Sequence, residues 1–365
     1  MKNIVLSGYY GFNNIGDEAV LASVIQALRD EMPDVQITVL SNDPQQTEKQ
    51  YSVQAVNRWR VAQIIPALRR CNLLISGGGS LLQDVTGPKS ILYYLGVIQL
   101  AHWFGKPVMI YAQGIGPVKR SWARKLMARV LNRVRAISVR DQASKADLEA
   151  MGVSRPPIAV TVDPVIGWAR PGDRHFPDSL HPLNSDERKC VGVSLRHWDG
   201  LNEKEMAAVC DFIGEKGYRV IFLPFHFPGD ISVCRKVANL MKGESFLVKD
   251  NFSPGEMMDA VGSMHLIIGM RLHALIMAGA QGVPFVAVSY DPKVERFAEL
   301  MGQAAACSVE TLSCADLKRV VEQILGDYSL IKQDLLQKTE VLKIKARENA
   351  KIAAQLIHQG NCQLS

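Results

Sequence analysis

Short β-branched runs separated by helix-length segments limit the fold of this chain more than any other feature. In the first half the runs are NIVLSG, VQITVL, LLISGGG, VMIYAQG, AISVRD and IAVTVD; in the second they are VGVSLR, RVIFLPF, FLVKD, LIIGM and FVAVSY. Strands spaced in this way build parallel sheets with helices on both faces. At 365 residues the chain is long enough for two such domains. Between the halves, GWARPGDRHFPDSLHPLNSDERK is rich in Pro, Asp, Ser and His and poor in apolar periodicity. The expected fold is therefore α/β. Two doubly wound, Rossmann-like domains, residues 1–170 and 190–327, face a cleft and are joined by a linker at 171–189. A long, charged C-terminal helix within 328–365 follows, and could pack back on the first domain.

Composition excludes several classes. With 47% hydrophobic and 21% charged residues the chain is not disordered. A formal net charge of +6 is too small to argue for nucleic acid, and no concentrated basic run is seen. It suits an anionic small molecule or an anionic membrane surface. Seven cysteines, an odd number without C-x-x-C pairs, read as thiols in a reducing cytoplasm rather than disulfides or a zinc site. The N-terminal MKNIVLSGYYG has too short an apolar run for a signal peptide. ILYYLGVIQLAHWFG (91–105) is the longest apolar patch and contains Gln99 and His102. It reads as a buried core helix rather than a membrane-surface contact.

In open parallel sheets, ligands bind beyond the carboxyl ends of the strands. Glycines crowd those ends in the first half, in YYGFNNIGDE, GGGSLLQD and AQGIGP. Arg, His and Lys crowd them in the second, in RHWDG, FHFPGD, RLH and SYDPK. In GYYGFNNIGDE, Gly11 and Gly16 have the outer spacing of a phosphate-binding P-loop, but Asp17 and Glu18 stand where Lys and Ser or Thr belong. Two carboxylates there would repel a triphosphate, so that motif is rejected. They could complement the start of a helix. Alternatively, Asn14 and Asp17 contact hydroxyls of a neutral substrate, with Asp17 as a base. Arg140, after AISV, either pairs with Asp141 or faces the cleft.

IIGMRLHALIMAG (267–279) reads as a buried strand running into an apolar helix, with Arg271 and His273 at the junction. A helix start repels cations unless they and the free N–H groups share one anion. The bland alternative is a surface arginine and a satisfied core histidine. Repetition weakens it: Lys293 lies in the first turn after SYDP, Arg196 and His197 follow another strand, and His226 follows a fourth. Several cations at the strand ends of one domain point to a multiply charged anion. The chain has no H-E-x-x-H, no D-x-D and no G-x-S-x-G, so no metal site or cofactor is expected.

Taken in order, GYYGFNNIGDE, GGGSLLQD, QGIGP, GMRLHALIMA and SYDPK resemble the polysaccharide pyruvyltransferase family, over residues 3 to about 300. The likeness is strongest to members that pyruvylate bacterial cell-wall polysaccharide. It implies a fold similar to the two-domain GT-B glycosyltransferases and transfer of pyruvate from phosphoenolpyruvate, as co-substrate, to a sugar. A 4,6-ketal closes and phosphate leaves. The implied acceptor is N-acetylmannosamine in a lipid-linked cell-wall disaccharide. That location would be cytoplasmic or peripheral at the inner face of the membrane, with a homo-oligomer compatible. Carried onto this chain, the family's functional histidine falls on His273, as acid or as phosphate ligand. Its basic partners fall on Arg271 and Lys293, with Arg140 as a further transfer. Arg196 and His226 join the anion side. Two other classes stay open: a GT-B glycosyltransferase using a nucleotide sugar, and a non-catalytic binder of sugar or anion.

Overall fold

The computed structural model describes residues 2–84, 87–169, 180, 188–303 and 305–362. They form two compact units. The first comprises residues 1–12, 17–168 and 342–365; the second comprises 13–16 and 169–341. Of the linker read at 171–189, only Leu180, Arg188 and Lys189 fall among the described residues.

In the first unit the strands are β1 (Lys2–Ser7), β2 (Val35–Ser41), β3 (Gln54–Asn57), β4 (Leu73–Gly77), β5 (Val108–Gln113), β6 (Ala136–Val139) and β7 (Ile158–Val160). They form one parallel sheet in the order β3-β2-β1-β4-β5-β6-β7. The central strands β4, β5 and β6 are buried at every position. That burial on both faces is why they read as continuous apolar runs rather than alternating ones. The helices are α1 (Ile15–Glu31), α2 (Pro44–Tyr51), α3 (Val61–Arg70), α4 (Pro88–Trp103), α5 (Ser121–Leu131) and α6 (Gln142–Ala150). Asp43 and Asp141 cap α2 and α6 by accepting from Gln46 N and Ser144 N. The apolar patch at 91–105 is α4, which buries Ile91, Tyr94, Leu95, Ile98 and Ala101 against the sheet.

The second unit repeats the plan. Its strands are β8 (Cys190–Ser194), β9 (Arg219–Phe222), β10 (Ser245–Leu247), β11 (Leu266–Gly269), β12 (Phe285–Ser289) and β13 (Ala305–Ser308). All are parallel, in the order β10-β9-β8-β11-β12-β13. Its helices are α7 (Glu203–Glu215), α8 (Ile231–Leu240), α9 (Pro254–Gly262), α10 (Leu272–Ala280), α11 (Pro292–Met301) and α12 (Cys314–Gly326). Ser253 and Glu256 form a reciprocal capping box on α9. The last helix, α13 (Tyr328–Cys362), begins in the second unit and ends in the first. Thr339 donates to Gly279 O, while Asn349 accepts from Thr161 Oγ1 at 2.9 Å. Each sheet reverses its strand order beside its first strand, at β1/β4 and at β8/β11. Such reversals open a crevice at the carboxyl edge. Among the described residues, no helix is long and apolar enough to cross a membrane.

Candidate active site

Four strands of the second sheet deliver cationic side chains to its carboxyl edge. Arg196 follows β8, His226 follows β9, Arg271 and His273 follow β11, and Lys293 follows β12. β8 and β11 are the pair at which the strand order reverses. The backbone thus brings together residues up to 97 positions apart, from Arg196 to Lys293.

Asp230 is the hub of this edge. It is 1% exposed and accepts from Phe225 N at 3.2 Å and His226 N at 2.9 Å. It also takes Arg271 through Nε at 2.9 Å and through Nη2, a bidentate pair. Arg271 occupies the N-cap position of α10 with extended backbone, so its side chain turns out of the helix. Among the described residues no hydrogen bond uses its Nη1. Lys293 is similarly matched: its Nζ lies 3.3 Å from Asp291 Oδ2, while Asp291 Oδ1 caps α11 by accepting from Lys293 N. These pairs place a carboxylate beside each of the two cations. A half-buried charge without a counter-charge is costly, and the fold supplies one to each. Asp230 was missed from sequence because Arg271 lies 41 residues away, although it closes the strand-end segment FHFPGD.

Arg196 differs. Its Nη1 donates to the Tyr290 hydroxyl at 2.9 Å, and its guanidinium lies over the Trp198 and Tyr290 rings. Among the described residues it has no carboxylate partner. The Lys293 ammonium sits on the same Tyr290 ring, 5.7 Å from its centroid. Tyr290 is a second residue that sequence reasoning passed over. Burial, and then the charge of Arg271, lower the pKa of His226; Asp230 opposes this and Arg196 adds to it. His226 therefore feels both guanidinium groups.

His273 lies in the first turn of α10 with Nε2 buried. Its ring packs on Gly16: a Cβ there would stand 2.2 Å from Nδ1. The segment 13–16 is held on this unit by backbone bonds from Ile15 N to Phe225 O and from Phe227 N to Asn13 O. Asn14 bridges to His226 through the backbone. Its side-chain oxygen accepts from Gly16 N at 3.1 Å.

Asp17 and Arg140 belong to the first unit. Asp17 faces the SGGGS loop, its Oδ1 2.9 Å from where a Cβ on Gly79 would lie. Burial, then the Asp17 charge, push the Tyr10 hydroxyl well above its usual range. Glu18 is committed to structure, accepting from Gly11 N and from the Tyr51 hydroxyl at 2.7 Å each. Arg140 is 9% exposed and takes the paired alternative. It lies 3.6 Å from Asp141 and 3.8 Å from Asp163, and donates to Ser80 Oγ at 3.1 Å.

Two doubly wound units with polar groups at the carboxyl edges define a GT-B-like protein. The solved structures agree on the fold. A UDP-N-acetylglucosamine 2-epimerase superposes with a TM-score of 0.68 at 15% identity, covering 99% of this chain and 96% of that one. A UDP-glucosyltransferase from Polygonum tinctorium gives 0.62 at 11% identity, covering 98% of each chain. The particular family follows from sequence: residues 14–292 match the polysaccharide pyruvyl transferase model, and the chain belongs to that family. The amylovoran biosynthesis protein AmsJ of Erwinia amylovora is 23% identical, over 93% of this chain and 96% of that protein. The protein is accordingly a transferase acting on polysaccharide.

Proposed function

We propose that this protein transfers pyruvate from phosphoenolpyruvate to two hydroxyls of a sugar, closing a 4,6-ketal. The observation that carries the reading is the gathering of Arg196, His226, Arg271, His273 and Lys293 at one sheet edge of a pyruvyl transferase family member. Phosphoenolpyruvate has a carboxylate and a phosphate, so it needs more than one cation. Arg196, the Nη1 edge of Arg271 and Lys293 would hold those two groups. The carboxylates on Arg271 and Lys293 fix the donors in place beforehand rather than cancelling them.

In this reaction the terminal methylene carbon gains a proton and the adjacent carbon accepts the first sugar hydroxyl. The C–O bond to phosphate then breaks, and the second hydroxyl closes the ketal. Of the two hydroxyl protons released, one balances the proton gained at carbon and the other leaves with phosphate. His273 is proposed as the acid, since an imidazole gives and takes protons near neutral pH. Asp17 and Asn14 keep their reading as partners of acceptor hydroxyls. The proposed acceptor is an N-acetylmannosamine-containing, lipid-linked disaccharide, met at the cytoplasmic face of the membrane.

The GT-B neighbours support a second reading, in which the same cations hold the diphosphate of a nucleotide sugar. One assay separates them. The protein is incubated with acceptor and either phosphoenolpyruvate or a UDP-sugar, and released phosphate and nucleoside diphosphate are measured. Phosphate release with a mass gain matching pyruvate on the acceptor is expected. Release of nucleoside diphosphate alone would replace this reading with glycosyl transfer.

A further inference from the structure

The modest net charge of the chain conceals a division. Residues 51–140 contain 14 Lys and Arg but a single acid, Asp84, whereas the rest of the chain holds 28 and 35. No contiguous run reveals this, because the cations are spaced along helices. Asp84 does not offset them: it is 2% exposed and consumed by Lys119 N, Arg120 N and the Arg120 side chain.

Much of this charge lies on α5 and its flanks. Lys119, Lys125, Arg129, Arg133 and Arg135 are all exposed, and among the described residues none forms an ion pair. Trp122, Lys125 and Arg129 recur at three- and four-residue spacing on one outward stripe of α5, and Arg133 lies just past its end. The opposite face buries Ala123, Met127, Val130 and Leu131. The neighbouring helix α4 shares the same core, and its outward side exposes Leu92 at 46% and Trp103 at 71%. Trp122 is 42% exposed. Burial, and then the charge of Arg133, lower the pKa of His102, so the basic end of α5 lies beside the aromatic end of α4. α4 is thus a core helix on one side only, which amends its sequence reading.

We propose that the outward face of α4 and α5 docks on a membrane surface of anionic lipid. Cations alone would suit any polyanion. Exposed indoles and a leucine among them favour a headgroup boundary, where the rings enter the interface and the basic side chains meet lipid charge. The proposal stands on charge and exposure and does not depend on the proposed reaction.

The test is flotation of the full chain with vesicles of phosphatidylcholine, alone or with about one third phosphatidylglycerol. The parent is expected to float only with the anionic vesicles and to be released by salt. Each Lys or Arg near such a surface is worth about fivefold in affinity, so combining Lys125→Glu, Arg129→Glu and Arg133→Glu should weaken binding on the order of 100-fold. Trp103→Ser with Trp122→Ser should weaken it about tenfold. Unchanged melting of both variants excludes misfolding. Quenching of the parent's indole fluorescence by brominated lipid gives a reading that needs no variant. Failure of the parent to float, charge-variant binding equal to the parent's, or no quenching would each overturn the proposal. An indole double variant that binds like the parent would also overturn it, leaving a general polyanion surface.

Discussion

Arg140, after β6 in the first unit, lies within salt-bridge distance of both Asp141 and Asp163. Arg196, after β8 in the second, has a phenol and two aromatic rings but no acid among the described residues. The same residue type at the same kind of position is closed in one unit and left open in the other. The contrast extends further. In the first unit Arg58 is buried, donates to Gly8 O at 2.7 Å, and lies over the rings of Phe12, Trp59, Tyr93 and Tyr94. In the second, Arg271 satisfies Asp230 with Nε and Nη2 while no described bond uses Nη1. Arg58 and Arg140 of the first unit fasten loops, whereas Arg196 and Arg271 of the second retain donor capacity. A counter-charge is therefore no sign that a cation is idle; what matters is which of its donors remain.

The sharpest break of this contrast is His273→Ala. If the second edge does chemistry, ketal formation should fall by about 10²–10⁴-fold, the usual worth of a positioned acid or base. The variant should stay folded with only a modest fall in melting temperature, because the truncated ring is half-buried. Phosphate release by a folded variant at the parent's rate would remove His273 from the mechanism.

Next come the locks. Asp230→Ala leaves Arg271 without its acid and two backbone N–H groups without an acceptor, and should cost about 3–5 kcal/mol of stability. Arg140→Ala removes the guanidinium between two acids and should cost about 3 kcal/mol. Chemical denaturation of each variant checks both. Loss below about 1 kcal/mol in either would mean that its network is not fastening the loop.

Much of this architecture is legible from sequence. The eleven apolar runs quoted above all became strands, because strands buried on both faces leave a continuous β-branched signal. Two strands were not found: QAVN, the edge strand β3, and β13 at AACS. Both have four residues, and the polar ends of QAVN blur the run. The cationic strand ends were legible for the same reason as the strands. Their counter-charges were not, since Asp230 meets Arg271 only through the β9 and β11 crossovers. The basic face of α5 escaped notice because three- and four-residue spacing spreads its cations among buried apolar positions.

A milder perturbation sharpens the contrast. Arg196→Met keeps an apolar stem but removes the charge, together with the bond to the Tyr290 hydroxyl and the guanidinium over the two rings. It should raise KM for phosphoenolpyruvate about tenfold, near 1.4 kcal/mol, and leave the melting temperature unchanged. An unchanged KM would place Arg196 with the fastening arginines of the first unit.

The smallest effect is a titration. Burial, then Arg271, lower the pKa of His226, with Asp230 opposing and Arg196 adding. The folded state thus favours neutral His226, while the unfolded chain protonates in the ordinary histidine range near 6.5. As pH falls below that value the unfolded state binds the proton first. Stability present at neutral pH declines until the lower folded pKa is passed. His226→Gln should flatten that part of the stability curve. The direction also reports on the site. Saturating phosphate between the cations would offset the field of Arg271 and Arg196 and move the His226 pKa back up, as would Arg196→Met. Histidine ring resonances followed by NMR against pH, with and without phosphate, measure this directly. A His226 titration indifferent to both would mean that the positive charge at the second edge is already cancelled within the chain, as it is around Arg140.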